Sequence, residues 1–218
     1  MRKAILLAVL LLSASAPLRA GEATIELLQG GAKILSLKTL SSGPAAQGAE
    51  LFAGDTLVTQ PGATAHVRFA SGALILVKEN ASFKVSGLGK KVTVSFDKGE
   101  FLIGLVKKLE KDENFEVRTP AAVAGVRGTL FWGLSDEKLT STFACFESEL
   151  AISAQGQTQI LKPGDKVQIA FGEKPGKVEP ANVPLAYLDT FAASGNVEAM
   201  KDLARKGATP VKKPFWKK

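Results

Sequence analysis

Two runs, ALILV (73–77) and FLIGLV (101–106), carry apolar side chains at every position but a single glycine. A β-strand turns alternate side chains to opposite faces, so strands apolar on both parities need cover on both sides. The runs around them obey a different rule. Val67 and Phe69 alternate with His66 and Arg68 in TAHVRF (64–69). Val92, Val94 and Phe96 alternate with Lys91, Thr93 and Ser95, and Phe115 and Val117 do the same in NFEVR. Period-two patterning of this kind turns one face inward and the other to water. Turn-forming clusters punctuate the runs at Gln60–Pro61–Gly62, Ser71–Gly72, Ser86–Gly87 and Pro163–Gly164. From Ala23 to Phe171 the only interruption of other character is a short turn at Lys107–Glu113. The expected fold is all-β: a short β-helix or roll-like stack of antiparallel and parallel strand pairs, with a β-sandwich as the alternative.

One local pattern recurs in LFAGDTL (51–57), FDKGEFL (96–102) and LKPGDKV (161–167). Each reads apolar-x-x-Gly-acid-x-apolar, which predicts a tight turn. Glycine takes the backbone conformation that other residues resist, the acid caps the turn amides, and the flanking apolar residues enter the core. Gly54–Asp55, Gly99–Glu100 and Gly164–Asp165 are therefore marked as fold-signature pairs. Their glycines are 45 and then 65 residues apart, too irregular for a strict solenoid period.

The two ends differ from this body. Arg2 and Lys3 precede the apolar run Ala4–Leu12, and small residues follow to Ala20. That is the layout of a secretory signal peptide, and the run is too short to span a bilayer. Residues 1–20 are expected to be removed, which places the mature chain in the periplasm or outside the cell. The sole cysteine, Cys145, lies far from that junction, so no lipid anchor is expected there, and a single thiol forms no internal disulfide. Cys145 reads as a small buried hydrophobe.

Residues 21–172 form the β domain, 173–184 a proline-rich linker, 185–207 a helical hairpin broken at Ser194–Gly195–Asn196, and 208–218 a basic tail. In the hairpin Leu185, Leu188 and Phe191 share one face, and Val197, Met200, Leu203 and Ala204 share another. The hairpin resembles the second half of one ankyrin repeat, ending Gly207–Ala208–Thr209–Pro210. A lone repeat cannot bury its face without neighbours. The formal charge of +7 falls to +4 without Arg2, Lys3 and Arg19, and the last 18 residues hold seven basic and one acidic side chain. The body is near neutral and basicity belongs to the tail. There Lys212, Lys213, Lys217 and Lys218 surround Phe215 and Trp216, a mixture suited to peripheral contact with anionic lipid headgroups or a partner. Nucleic acid is not expected as a partner of an exported chain with a neutral body.

The stretch Phe115–Phe131 reads F-x-V-x-T-P-A-A-V-A-G-V-R-G-T-x-F. With the Gly54–Asp55 turn, A-x-V-R-F (65–69), the Ser71–Gly72 turn, Leu74–Ile75–Leu76, Gly99–Glu100 and Pro163–Gly164–Asp165, it resembles the FecR domain, named for a regulator of bacterial ferric citrate uptake. Sigma-factor regulators of that family carry a cytoplasmic anti-sigma segment and a transmembrane helix before the domain. Only three residues precede the apolar run here, so a free-standing exported member is expected. The family's usual glycine before a late strand is Ser148, which predicts a looser turn. Within the signature Pro120, Arg127, Gly128 and Thr129 are marked as structural. Arg127 could present a planar fork to a carboxylate or phosphate ligand. The reading adopted is a clasp, because a buried guanidinium must be paired, with Asp55 and Glu100 as candidate partners.

Catalysis finds little to work with. One His and one Cys, with no H-x-x-x-H or C-x-x-C, leave no His/Cys metal site, and His66 falls on the polar parity of its strand, which predicts a surface residue. A two-carboxylate hydrolase stays open on sequence, since acids are plentiful. The expectation is no catalytic, cofactor or metal residue, and a binding or scaffold module of the cell envelope that presents a β surface or strand edge to a protein or glycan. The alternative is a periplasmic relay in sigma-factor-type signalling, working through a separate membrane protein.

Overall fold

The computed structural model describes residues 23–181, apart from 106–108, 111 and 127. The signal segment 1–20, the hairpin 185–207 and the tail with Lys212–Lys218 lie outside the described residues.

The described chain is built of strands. It opens with β1 (Ala23–Gln29), β2 (Ala32–Ser36), β3 (Ser41–Pro44), β4 (Glu50–Leu51) and β5 (Thr56–Thr59). Next come β6 (Thr64–Phe69), β7 (Ala73–Val77), β8 (Ser82–Gly87) and the long β9 (Lys91–Leu105). The second half holds β10 (Asn114–Arg118), β11 (Val123–Val126), β12 (Leu130–Ser135) and β13 (Ser141–Glu147). It closes with β14 (Leu150–Ala154), β15 (Gln157–Leu161), β16 (Asp165–Ile169) and β17 (Glu179–Pro180).

These strands make two layers. Sheet I runs β4-β1-β6-β7-β9-β12-β13-β16-β17, antiparallel throughout. Sheet II runs β3-β2-β5-β8-β9-β10-β11-β14-β15, where β9–β10 is parallel and the rest antiparallel. The chain lays β6–β7 in sheet I, β10–β11 in sheet II, β12–β13 in sheet I and β14–β15 in sheet II. The roll-like stack of strand pairs and the sandwich are thus one object, a winding of pairs flattened into two sheets.

β9 joins the layers. Its first half pairs with β8 and β10 in sheet II, and from Gly99 onward it pairs with β7 and β12 in sheet I. Gly99 makes the bend at φ +111°, with Ala81 Cα only 2.5 Å from where a Cβ would stand. The expected turn at Gly99–Glu100 is therefore corrected: this glycine bends a continuous strand. The expected turn at Ser86–Gly87 is also displaced, because both residues end β8 and the reversal comes at Gly89–Lys90.

The core lies between the sheets. Phe69 of sheet I meets Phe115 of sheet II edge-on at 5.9 Å, and Phe96 stacks on Phe101 at 3.9 Å across the β9 bend. Phe131 and Phe143 close on Phe101 from β12 and β13. Full burial of such a ring contributes about 1.5–3 kcal/mol relative to leaving it exposed, and its favoured geometry adds about 1 kcal/mol per pair. Val67, Phe69, Val92, Val94, Phe96, Phe115 and Val117 all face this core, as their alternation predicts. The described part of the linker is not loose on the body. Lys166 pairs with Glu179, and Ala181 N donates to Gly164 O at 2.7 Å.

Candidate functional site

Two of the three Gly-acid motifs form the same turn. At Gly54 (φ +97°) the Phe52 amide donates to Asp55 Oδ2 at 3.0 Å, and the Asp55 amide donates to Phe52 O at 3.0 Å. At Gly164 (φ +91°) the Lys162 amide donates to Asp165 Oδ2, and the Asp165 amide to Lys162 O, each at 2.9 Å. Each glycine amide also donates to a neighbouring strand, Gly54 to Val85 O and Gly164 to Cys145 O. Leu51, Leu57, Leu161 and Val167 enter the core on either side. Asp55 is buried, and its Oδ1 has no hydrogen-bond partner.

The remaining signature residues are spread over the fold. Pro120 sits in the bend where Thr119 N donates to Ala122 O at 2.9 Å, and Ser141 Oγ donates to Thr119 Oγ1 at 2.8 Å. Gly128 has φ +83°, and the buried Thr129 donates from Oγ1 to Glu149 O at 3.1 Å. Arg127 lies outside the described residues. Of its two candidate partners, Glu100 accepts from Trp132 Nε1 at 2.7 Å. Ser148 holds φ +59°, so the position that is usually glycine keeps its left-handed backbone with a serine in it.

Among the described residues the titratable groups come together in no catalytic constellation. The Cys145 thiol is buried in β13 and burial pushes its pKa up to about 12, so it is not a nucleophile. Leu139 lies in the turn before β13 at φ +59° and is 41% exposed. His66 is a correction. It points away from the core as its parity predicts, yet it is only 5% exposed, because that outer face is itself covered. Burial holds its pKa below the ordinary 6.5, with Glu26 pulling the other way and Arg68 and Lys78 adding to the depression. Among the described residues no group of three or more His, Cys, Asp or Glu side chains is placed to hold a metal.

Two surfaces remain. The first is the tip of the β2–β3 hairpin, where Leu35 is 43%, Leu37 63% and Leu40 87% exposed. Leu40 adopts φ +49°, a left-handed conformation costing a non-glycine residue about 1–2 kcal/mol. Leu37 packs over the Gly54 turn, leaving only 3.1 Å from its Cβ to a Cβ built on Gly54, and the Lys38 ammonium lies 5.9 Å from the Phe52 ring centroid. An open groove of about 540 Å³ runs here between Leu35, Leu37, Leu40, Gly54, Thr56 and Lys84. Sequence reading passed over these leucines, since their spacing resembles any strand end.

The second surface is the outer face of sheet I. Register aligns Leu27, His66, Leu76, Leu102, Trp132, Ala144 and Lys166 in one cross-strand row. Leu74 and Leu130 stand on the same face in the adjoining row. Leu74, Leu76, Leu102, Leu130, Trp132 and Ala144 are 0–4% exposed, yet they alternate with the residues of the inter-sheet core and do not belong to it. The doubly apolar runs 73–77 and 101–106 were the signal for this face.

Residues 55–150 match the family model described as FecR protein. No curated protein matches the sequence. Two crystal structures of a "putative anti-sigma factor" from Parabacteroides distasonis share the fold, with TM-scores of 0.54 and 0.51 at 12% and 15% identity. The alignments cover 62% and 64% of this chain and 64% of each of those chains, so this chain spans less than two thirds of their length.

Proposed function

We propose that this chain is a non-enzymatic FecR-domain binding module, exported to the bacterial cell envelope, that grips a protein partner through the leucine tip of the β2–β3 hairpin. The observation that carries the reading is Leu37 and Leu40 at 63% and 87% exposure on a hairpin tip held against a buried turn. Exposed apolar clusters on a rigid scaffold mark contact surfaces, and loops placed by a sheet commonly carry function. β3 is an edge strand of sheet II with its outer backbone groups unpaired among the described strands. An extended segment can add to it by backbone hydrogen bonds while the leucines take its apolar side chains. Lys33, Lys38 and Lys84 surround the hairpin, which favours a segment that also carries acids. Leucines offer apolar area without hydrogen-bonding groups, so a protein segment suits the site better than a glycan. The fold shared with anti-sigma factor structures supports a signalling setting, in which this module relays through a separate membrane protein.

The test is in-cell crosslinking of the tagged chain beside a Leu37→Glu/Leu40→Glu version. Both positions are mostly exposed and outside the inter-sheet core, so the variant should keep the fold, which its unfolding midpoint checks. A specific partner crosslinked to the wild type and lost with the double substitution supports the reading. A partner retained at equal yield refutes it.

A further inference from the structure

We propose that β15, the edge of sheet II farthest from β3, pairs with β15 of a second copy, joining two chains edge to edge about a two-fold axis at Gln159. A free strand edge invites another strand, and folded proteins blunt such edges with short strands, charge, proline or bulges. Three of the four edges here are blunted. β4 and β17 are two residues long, β17 ends in Pro180, and beside it Gly176 N donates to Gln168 O at 3.2 Å. β3 has four residues, ends in Pro44 and stands beside Lys33 of β2. β15 (QTQIL) has five residues with no charge, proline or bulge, and Gln157, Thr158 and Ile160 are exposed, Ile160 at 44%.

The backbone fixes how a second strand binds there. Gln155 (φ +48°) and Gly156 (φ +72°) form the two-residue turn between β14 and β15, which makes Ala154 and Gln157 a hydrogen-bonded pair. Antiparallel pairs alternate, so Gln159 and Leu161 also bond to β14, and the N–H and C=O of Thr158 and Ile160 point outward. Among the described residues no backbone group meets them there, and Ile160 O accepts only from Gln159 Nε2, at 3.3 Å. These groups match themselves. Turned about an axis at Gln159, Thr158 of one copy stands opposite Ile160 of the other, and the two residues exchange both backbone bonds, twice over by symmetry. On the outer face each Ile160 then lies against a Thr158, a β-branched cross-strand pair. No charge enters the paired segment, because Lys162 of each copy falls beyond its end. A β3–β3 contact would instead gather Lys33, Lys38 and Lys84 from both copies. Since β3 is the opposite edge of sheet II, the pairing leaves a leucine hairpin open at each end of the joined sheet.

The experiment uses the chain from Gly21 to Lys218. An edge of this length is small beside the about 1,200–2,000 Å² that a stable interface buries, so sedimentation should show monomer at about 1 μM and dimer growing in toward about 1 mM. Thr158→Lys/Ile160→Lys sets lysine opposite lysine and should weaken the dimer about tenfold or more. Thr158→Glu/Ile160→Lys sets glutamate opposite lysine in this register and should restore it. Gln159→Cys probes the register directly. Across the axis the two positions 159 form a non-hydrogen-bonded pair with Cα atoms about 4.5 Å apart, within disulfide reach, whereas 158 faces 160. Oxidation should therefore dimerise Gln159→Cys and leave Thr158→Cys monomeric, with the buried Cys145 unreactive in both. A monomer across the whole range, or equal disulfide yield from positions 158 and 159, overturns the proposal. So does a dimer that the paired lysines leave intact or that the opposed charges fail to restore. Species that grow past the dimer also overturn it, since β15 would then be meeting β3 of the next copy.

Discussion

Gly133 of β12 faces Phe101 of β9 and Phe143 of β13 across the ladder. A Cβ built there would stand 2.5 Å from Phe101 Cε2 and closer still to Cζ. Carbon atoms pack best at about 3.5–4.0 Å, so Gly133→Ala requires the Phe101 ring to move by about 1 Å. The ring has little room, since Phe96 stacks on it at 3.9 Å and Phe131 and Phe143 flank it. Overpacking costs about 1–3 kcal/mol, and the confinement of the ring places this case at the upper end, about 2–3 kcal/mol. With a urea slope of about 2–3 kcal/mol/M, the unfolding midpoint followed by far-UV circular dichroism should fall by about 1 M. All three of the nearest atoms to the added Cβ belong to the distal part of the Phe101 ring, which leucine lacks. Phe101→Leu alone should cost about 1–2 kcal/mol, in the lower part of the range for large-to-small core changes. In the double variant the clash is gone, so the two losses should fall short of additivity by about 1–2 kcal/mol. Additivity to within about 0.5 kcal/mol, the behaviour of independent sites, would refute the assignment of Phe101 as the residue that forbids a side chain at position 133.

The Asp55 and Asp165 turns share hydrogen bonds but differ in burial, so Asp55→Ala should cost about 2–3 kcal/mol and Asp165→Ala about 1 kcal/mol in the same denaturation assay. His66 titrates lower in the folded chain than in the unfolded one. Protons therefore bind the unfolded state first, and His66 leaves stability untouched above about pH 6.5 but reduces it as pH falls toward the folded pKa. His66→Gln should flatten that acid-side loss in unfolding midpoints measured from about pH 7 to 5, and an unchanged slope would assign the loss to other groups. With its thiol pushed up to about 12, Cys145 should resist a thiol-reactive disulfide reagent in the native chain and react only at the rate of unfolding. Rapid labelling in native buffer would contradict its burial.

Much of the fold was legible because strand periodicity is local. Val92, Val94 and Phe96 enter the core simply because they alternate with Lys91, Thr93 and Ser95. The Gly54–Asp55 and Gly164–Asp165 turns were readable for a similar reason, since their hydrogen bonds close within three residues. Gly99–Glu100 has the same letters and a different role. A left-handed glycine serves a turn or a strand bend equally, and which occurs depends on β7, β8, β10 and β12 coming to pair with β9. The leucine hairpin escaped reading because exposure at Leu37 and Leu40 follows from where β2, β3 and the Gly54 turn meet, which no local pattern encodes.

By itself the sequence determined that the domain spanning the described residues is all-β, which parity of each alternating strand is inward, and that residues 73–77 and 101–106 need cover on both faces. Alternation and apolarity are properties of each short segment, so they survive without knowledge of neighbours. The tertiary structure decided which strands face one another, that β9 passes from one sheet to the other, and that His66 is buried on a polar parity. Those outcomes depend on pairings between residues far apart in the chain. Periodicity says that a strand has two faces to satisfy, and only the packed fold says what lies against each of them.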